Sequence, residues 1–358
     1  MQVGNIVASP GEHAFGYLDV ARSRSGFSAD IPVHLFCGSE LGPTLLVESA
    51  VHGSEIIGTI GILNVVEKLD PTKMQGNLIA VPVLNRLGFE LQDRGSRIDG
   101  RDLLRLFPGK VKGAANDRLV HRYFEEVIRQ ADVMIDFHAG GRTAYERYVC
   151  FAADRDPANR TEIEQKRRQL VVAFGLDAAA YFPRGIFTGT ETEDSIEAAG
   201  VVMFQPELGG GTGWLTNGQS DVAVAERGIW NVLKAMGIIR GEIETDGAAC
   251  TIYNASVVLW KPPVDGLFIR KKGFGALVQE GEIYGILQDP YTGEELASIT
   301  NTREATVIPS GQNWPTVGST SVGILGSIDE VVDLRTANLF VTFGMYTGSR
   351  QLGVFRTS

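Results

Sequence analysis

Cysteine is scarce in this chain. Cys37, Cys150 and Cys250 are odd in number and far apart, which excludes a disulfide framework. No apolar run is long enough for an uninterrupted membrane helix. No stripe of Lys and Arg is present, and the formal charge is −10, which sets aside a nucleic-acid surface. A small cationic pocket for a carboxylate remains compatible with that acidity. The start, MQVGNIVASPGEHAFG, lacks the basic and apolar regions of a signal peptide, so the cytoplasm is the expected compartment. Short-period repeats and low-complexity tracts are also missing.

What is there reads as a globular protein. The 358 residues are 44% hydrophobic and 21% charged, and fit two domains more comfortably than one core. The 43 glycines favour many tight turns. Up to residue 247, apolar strands alternate with helices, which points to an α/β domain with a largely parallel sheet. Ile31–Cys37 reads as a strand near a sheet edge, because Pro32 cannot donate to a ladder. Strand-like runs follow at 45–51, 76–84, 132–137, 148–152 and 201–205. Helices are expected from about Ser54, where Ile56, Ile57, Ile60 and Leu63 would supply the apolar side, and at 117–130, 161–174 and 221–236. A long polar loop, Asn85 to Gly113, has the length of a segment that lines a site or moves. From residue 248 to 358 the texture changes to short apolar runs between Gly, Pro and Asp turns, at 256–260, 266–269, 276–278, 283–287, 305–308 and 322–325. This is the pattern of an all-β accessory domain followed by a tail.

Two histidines stand where strands end: His52 in VHGSE and His138 in DFHAGG. In a parallel sheet the carboxyl ends of strands face one crevice. Glu55 follows His52 by three residues, so His52, Glu55 and His138 would form a His-Glu-His zinc site that keeps room for water. Glu207 follows its own strand, before three glycines. A carboxylate there either moves a proton for the attacking water or is a solvated acid in a turn. Arg94, Arg97, Arg101 and Arg105 lie in the long loop. A guanidinium can face an oxyanion or hold a carboxylate, and the spacing alone leaves their roles open, surface ion pairing included. His13, His34 and His121 have no partner at a recognisable spacing and read as structural or surface residues.

Four pieces, VHGSE (51–55), RIDGRDLLRLFPG (97–109), DFHAGG (136–141) and PELGGG (206–211), stand in the order of one family. The chain resembles the succinylglutamate desuccinylases and aspartoacylases, within the broader zinc carboxypeptidase-like group. That resemblance implies a parallel or mixed sheet flanked by helices. It also implies one Zn2+ per chain on His52, Glu55 and His138. Glu207 then looks like the general base and acid, Arg97 like the residue facing the scissile carbonyl, and Arg105 like the one gripping the substrate carboxylate. The chain departs from the family at Leu104, where an Asn usually helps bind that carboxylate. Asn85 is the nearest amide in sequence that could substitute, and it reads equally well as a turn residue.

The implied reaction is hydrolysis of an amide on a small N-acyl amino acid. The segment GIFTGTETEDSIEAAGV (185–201), with the overall length, resembles members that deacetylate N-acetyl-2,4-diaminobutyrate in ectoine breakdown. The amine of that substrate would ask for an acid such as Glu191 or Glu193. The alternatives are an N-acetylaspartate or N-succinylglutamate deacylase, a carboxypeptidase, and a non-catalytic ligand-binding protein. The C-terminal region resembles the family's accessory domain, with hints of a biotinyl/lipoyl-like sandwich in KKGFGALVQEGEIYGIL and PSGQNWPTVGSTSVGIL. Lys271 and Lys272 lie in no attachment motif, so narrowing of the active-site entrance is the expected role. The expected partner is a small molecule, with no nucleic acid and no membrane, and a homo-oligomer is compatible with such an enzyme.

Overall fold

The computed structural model describes residues 1–20, 29–96, 98–140, 144–153, 157–186, 188–210, 214–255, 262–273, 275–307, 310–312, 315–316 and 325–344. Expectations that fall on Arg97, on 256–260, on 322–324 and on the tail from 345 lie outside the described residues.

A thirteen-stranded mixed sheet forms the spine. Twelve of its strands, in chain order, are β1 (Glu12–Leu18), β2 (Ile31–Cys37), β3 (Glu40–Ser49), β4 (Gln75–Val81), β5 (Val133–Phe137), β6 (Ala144–Ala152), β7 (Ala178–Phe182), β8 (Val202–Gly209), β9 (Ala249–Asn254), β10 (Leu277–Val278), β11 (Ala305–Val307) and β12 (Leu325–Asp333). Their spatial order is β10-β11-β12-β9-β7-β6-β8-β5-β3-β4-β2-β1, and Ser310–Gln312 pairs beside β6. At the centre β4, β3, β5 and β8 run parallel. β8 meets β6 antiparallel, and β6, β7 and β9 are again mutually parallel.

Alternating side chains along these strands feed two cores, one on each face. Leu45, Val47, Val133, Ile135 and Phe137 face the helices α1 (Ile57–Lys68), α4 (Glu162–Ala173) and α6 (Trp214–Ala235). Leu46, Ile79, Val81 and Met134 face the opposite way, towards α3 (Ala115–Glu126) and α5 (Thr190–Ala198). Into this second core the long loop inserts Leu103, Leu104 and Phe107. The loop is therefore partly ordered by burial, and it carries a short helix α2 (Arg86–Leu91) and a 3-10 turn at Leu103–Leu106.

Two local expectations are corrected. The first helix begins at Ile57, and its buried side is Ile57, Gly58, Gly61, Ile62 and Val65, while Leu63 is exposed. Its small residues face inward because neighbours come so close: a Cβ on Gly58 would lie 2.2 Å from Cβ of Phe137, and one on Gly61 2.7 Å from Cβ of Ala225. α6 begins at Trp214, before the expected Asp221. β2 lies near the sheet edge as expected, with only β1 outside it among the described residues. Its Pro32 is harmless on the other side, because β4 pairs with it only from His34 onward.

Beyond residue 248 the strands are of two kinds. β9 to β12 continue the large sheet, whereas Gly266–Arg270, Ile283–Gln288, Glu295–Thr300 and Pro315–Thr316 form a four-stranded sheet. A separate small core containing Phe268, Val278, Tyr284, Leu287 and Ile299 stabilises this region. Lys272 there pairs with Glu282. Among the described residues no helix is long and apolar enough to cross a membrane.

Replacing Gly58 by Ala should overpack the α1–β5 contact and destabilise the protein by about 1–3 kcal/mol. Thermal unfolding should show a Tm several degrees lower; an unchanged Tm would contradict this close approach.

Candidate functional site

β3 and β5 lie side by side in parallel register, with Ser49 opposite Phe137. The residues that follow them therefore emerge at the same end of the sheet. After β3 the chain turns sharply through Ala50, whose φ of 54° is left-handed. Gly53 then packs so closely on α2 that a Cβ would lie 1.9 Å from the carbonyl carbon of Gly88. The backbone N–H of Gly53 donates to Asp93 O at 2.8 Å, and that of Glu55 to His52 O at 3.0 Å. After β5, His138 is clamped to β8: its N–H donates to Pro206 O, and its carbonyl accepts from Leu208 N–H, both at 2.9 Å.

These constraints bring His52, Glu55 and His138 together, with one donor atom from each within 4.8 Å of the others. Glu55 Oε2 lies 3.1 Å from His52 Nδ1 and 3.0 Å from His138 Nδ1, and the two Nδ1 atoms are 3.2 Å apart. All three residues are buried. The outward nitrogens are held by acids: His52 Nε2 donates to Asp102 Oδ1 at 3.1 Å, and His138 Nε2 donates to Asp136 Oδ2 at 2.8 Å. With Nε2 protonated, each Nδ1 presents its lone pair to the common centre. A carboxylate behind each ring is how metal-ligating histidines are commonly oriented. Two imidazoles and a carboxylate suit zinc or a similar borderline cation, so the residues fit a metal ion.

Electrostatics points the same way. Burial opposes ionisation of Glu55, but His52 and His138 outweigh it and hold its carboxyl well below the usual range. At Asp102 burial is likewise outweighed, by His52 and then Arg94, and the carboxyl is pulled down to about 2. On His138 burial disfavours charge, yet Asp136 and Glu55 raise its proton affinity well above the ordinary value. Glu207 sits on β8, bridged in parallel to His138 and therefore on the same face of the sheet. Burial, then Glu146, push its carboxyl well above the usual range, with His138 partly offsetting them. A carboxyl that readily takes a proton suits a proton carrier.

The catalytic-domain model of the succinylglutamate desuccinylases and aspartoacylases matches residues 41–236. The chain belongs to that family. N-alpha-acetyl-L-2,4-diaminobutyric acid deacetylase of Halomonas elongata is 28% identical over 311 residues, covering 83% of this chain and 82% of that protein. A succinylglutamate desuccinylase/aspartoacylase from Rhodobacter sphaeroides superposes with a TM-score of 0.78 at 25% identity, covering 92% of this chain and all of that one. The product-bound ectoine utilization protein EutE of Ruegeria pomeroyi does so with a TM-score of 0.75 at 25% identity, over 91% of this chain and all of that one. This desuccinylase/aspartoacylase-family chain is an amide-hydrolysing enzyme.

The remaining expected site residues are placed as follows. Arg105 is exposed on the 3-10 turn, and one guanidinium N–H donates to Ile186 O at 3.2 Å. Arg97 lies outside the described residues. Asn85 caps α2: its Oδ1 accepts from Gly88 N–H at 3.0 Å and its Nδ2 donates to Val51 O at 3.2 Å. It fastens the His52 turn, and a substrate would have to share its amide. Leu104 is buried in the second core, and its carbonyl accepts from Thr192 Oγ1 at 3.0 Å. Arg101 is taken by Asp99 and Asp117 at 2.7 and 2.9 Å, a structural role. Glu193 accepts from Gly185 N–H and Thr188 Oγ1, so its two oxygens fasten a loop, while Glu191 is exposed in the first turn of α5. His13 and His34 contact each other at 3.2 Å across β1 and β2 and take no part in the cluster.

Asp136 and Asp102 were not singled out from the sequence as supports of the ligands. Asp136 stands two residues before His138, and the period of a strand puts both on one face, so DFHAGG held that signal. Asp102 is 50 residues from His52, and nothing local marks it. Arg94, one of four cations in the long loop, lies 3.2 Å from Asp102 and 3.6 Å from Glu55. Asp102→Asn and Asp136→Asn should each weaken divalent-cation binding about 10–100-fold, measured by competition with a chelator. Unchanged affinity in both would contradict the supporting role.

Proposed function

We propose that the chain is a zinc-dependent deacetylase of N-acetyl-2,4-diaminobutyrate. The observation that carries this reading is the convergence of His52 Nδ1, His138 Nδ1 and Glu55 Oε2, with Glu207 on the neighbouring strand. The substrate choice is supported by the named activity of the Halomonas elongata relative and by the likeness to the ectoine utilization protein. A zinc ion on His52, Glu55 and His138, one per chain, would supply the Lewis acidity that makes water an effective nucleophile at neutral pH.

The chain's own residues do the rest. Glu207 accepts a proton as the water oxygen bonds to the acetyl carbon. It returns that proton to the nitrogen as the carbon–nitrogen bond breaks, and acetate and the free amine result. Arg97 is assigned, from its place in the family motif, the stabilisation of the oxygen on which negative charge develops. Arg105, one of whose guanidinium N–H groups donates to Ile186 O, grips the substrate carboxylate. Leu104 offers no amide beside it, so the carboxylate depends more heavily on Arg105.

The test is turnover by the zinc-reconstituted enzyme on 2-N-acetyl-2,4-diaminobutyrate, N-acetylaspartate, N-succinylglutamate and a short peptide. Acetate release from the first alone is expected, abolished by chelation and restored by zinc, with Glu207→Gln lowering kcat about 10²–10⁴-fold. Turnover of another member instead would overturn the substrate. No turnover despite bound zinc would overturn the enzymatic assignment to this panel.

Arg105→Ala should raise KM at least about tenfold, as expected for loss of a charge-assisted pair. A KM unchanged in that variant would remove Arg105 from the carboxylate site.

A further inference from the structure

Two adjacent residues of α5 reach the two ends of Arg105. Thr192 and Glu193 lie in the first turn of that helix, and both are buried. The Thr192 hydroxyl donates to Leu104 O at 3.0 Å, with Phe107 O 3.5 Å away. Leu104 precedes Arg105, so this bond holds the backbone of the 3-10 turn from which the guanidinium departs. Glu193 works at the other end. Its Oε2 accepts from Gly185 N–H at 2.9 Å, and its Oε1 from Thr188 Oγ1 at 2.6 Å. Ile186, whose carbonyl receives an Arg105 N–H at 3.2 Å, stands in sequence between those two anchors.

Arg105 and Ile186 are 81 residues apart in sequence, so neither segment fixes the other by its own local structure. One helix holds both. A long exposed side chain loses rotamer freedom when it binds a ligand, and one already held in place loses less. Both hydrogen bonds to Glu193 could equally be made by an amide, whose oxygen accepts from Gly185 N–H while its NH2 donates to Thr188 Oγ1. Arg184 Nη1 lies farther off, 3.7 Å from Oε2. The arrangement therefore asks for shape and hydrogen bonding at this position, and not for charge.

We propose that Thr192 and Glu193 are positioning residues for Arg105. Thr192 sets where its backbone stands and Glu193 sets where the Ile186 carbonyl stands, so that the guanidinium is presented to the substrate carboxylate already ordered. The proposal rests on Arg105 being the residue that grips that carboxylate.

The experiment measures KM and kcat of the zinc-reconstituted full chain for N-acetyl-2,4-diaminobutyrate, or for the panel member turned over in its place. Thr192→Val and Glu193→Leu should each raise KM about threefold to tenfold, the size of one lost hydrogen bond, with kcat within about twofold, as for a loss of binding alone. Thr192→Ser and Glu193→Gln keep the bonds and should stay within about twofold of the wild-type KM, one modest hydrogen-bond difference. With Arg105→Ala the effect should vanish: the kcat/KM of Thr192→Val/Arg105→Ala should match that of Arg105→Ala, because residues acting through one group are not additive. A wild-type KM in Thr192→Val or in Glu193→Leu overturns the role of that residue, and in both it overturns the proposal. So does a loss that multiplies with that of Arg105→Ala, the mark of a general structural defect. A Glu193→Gln loss as large as that of Glu193→Leu also overturns the role of Glu193, which would then act through its charge. Should Glu193→Leu fail to fold, Thr192→Val and its double variant decide. Arg105→Ala with a wild-type KM is a different result, which overturns the carboxylate reading and the proposal with it.

Discussion

Parallel strands held in register deliver their ends to one place, and the chemistry of this protein depends on that. Ser49 and Phe137 are paired across β3 and β5, and His138 is hydrogen-bonded on both sides of its backbone to β8. Neither histidine could reach the other from within its own segment. The sheet register sets their distance, and the packing of Gly53 on Gly88 and of Gly58 on Phe137 prevents the turn after β3 from drifting.

The site is built from an excess of acids. Glu55, Asp102, Asp136 and Glu207 surround two imidazoles, with Arg94 at the rim. Assembled away from water, such a set is unfavourable unless positive charge is brought to it. Burial opposes charge on His138, yet Asp136 and Glu55 raise its proton affinity, which reflects that demand. A divalent cation would supply more charge at the point where three donors converge. Every group beyond the three donors then has to be read by what it does to a ring or a proton.

His52, Glu55, His138 and Glu207 were legible because each lies inside a short motif at a strand end, where position alone predicts direction. Asp102 and Arg94 were not, because their meaning depends on which strands and loops become neighbours. Hydrophobic spacing also misled at α1, where Leu63 looked inward and glycines occupy the inner face instead. There, backbone proximity replaced side-chain burial, and a pattern of apolar residues carries no trace of that. The long loop looked polar and open, yet Leu103, Leu104 and Phe107 plug it into a core. The same burial explains why Leu104 stands where an amide was expected: the side chain points at packing, and only the neighbouring Arg105 faces outward.

The continuation of the large sheet past residue 248 changes what the C-terminal region is. β9 pairs with β7, and β12 pairs with β9. Arg168 of α4 lies over the rings of Phe151 and Tyr181 and reaches Asp329 of β12 at 3.1 Å. The strand beneath, Ala178–Phe182, is wholly buried. A chain cut short at 247 would leave that strand as a bare apolar edge, a template on which other chains could add. The strands after residue 248 thus cover an apolar edge that would otherwise be open to self-association.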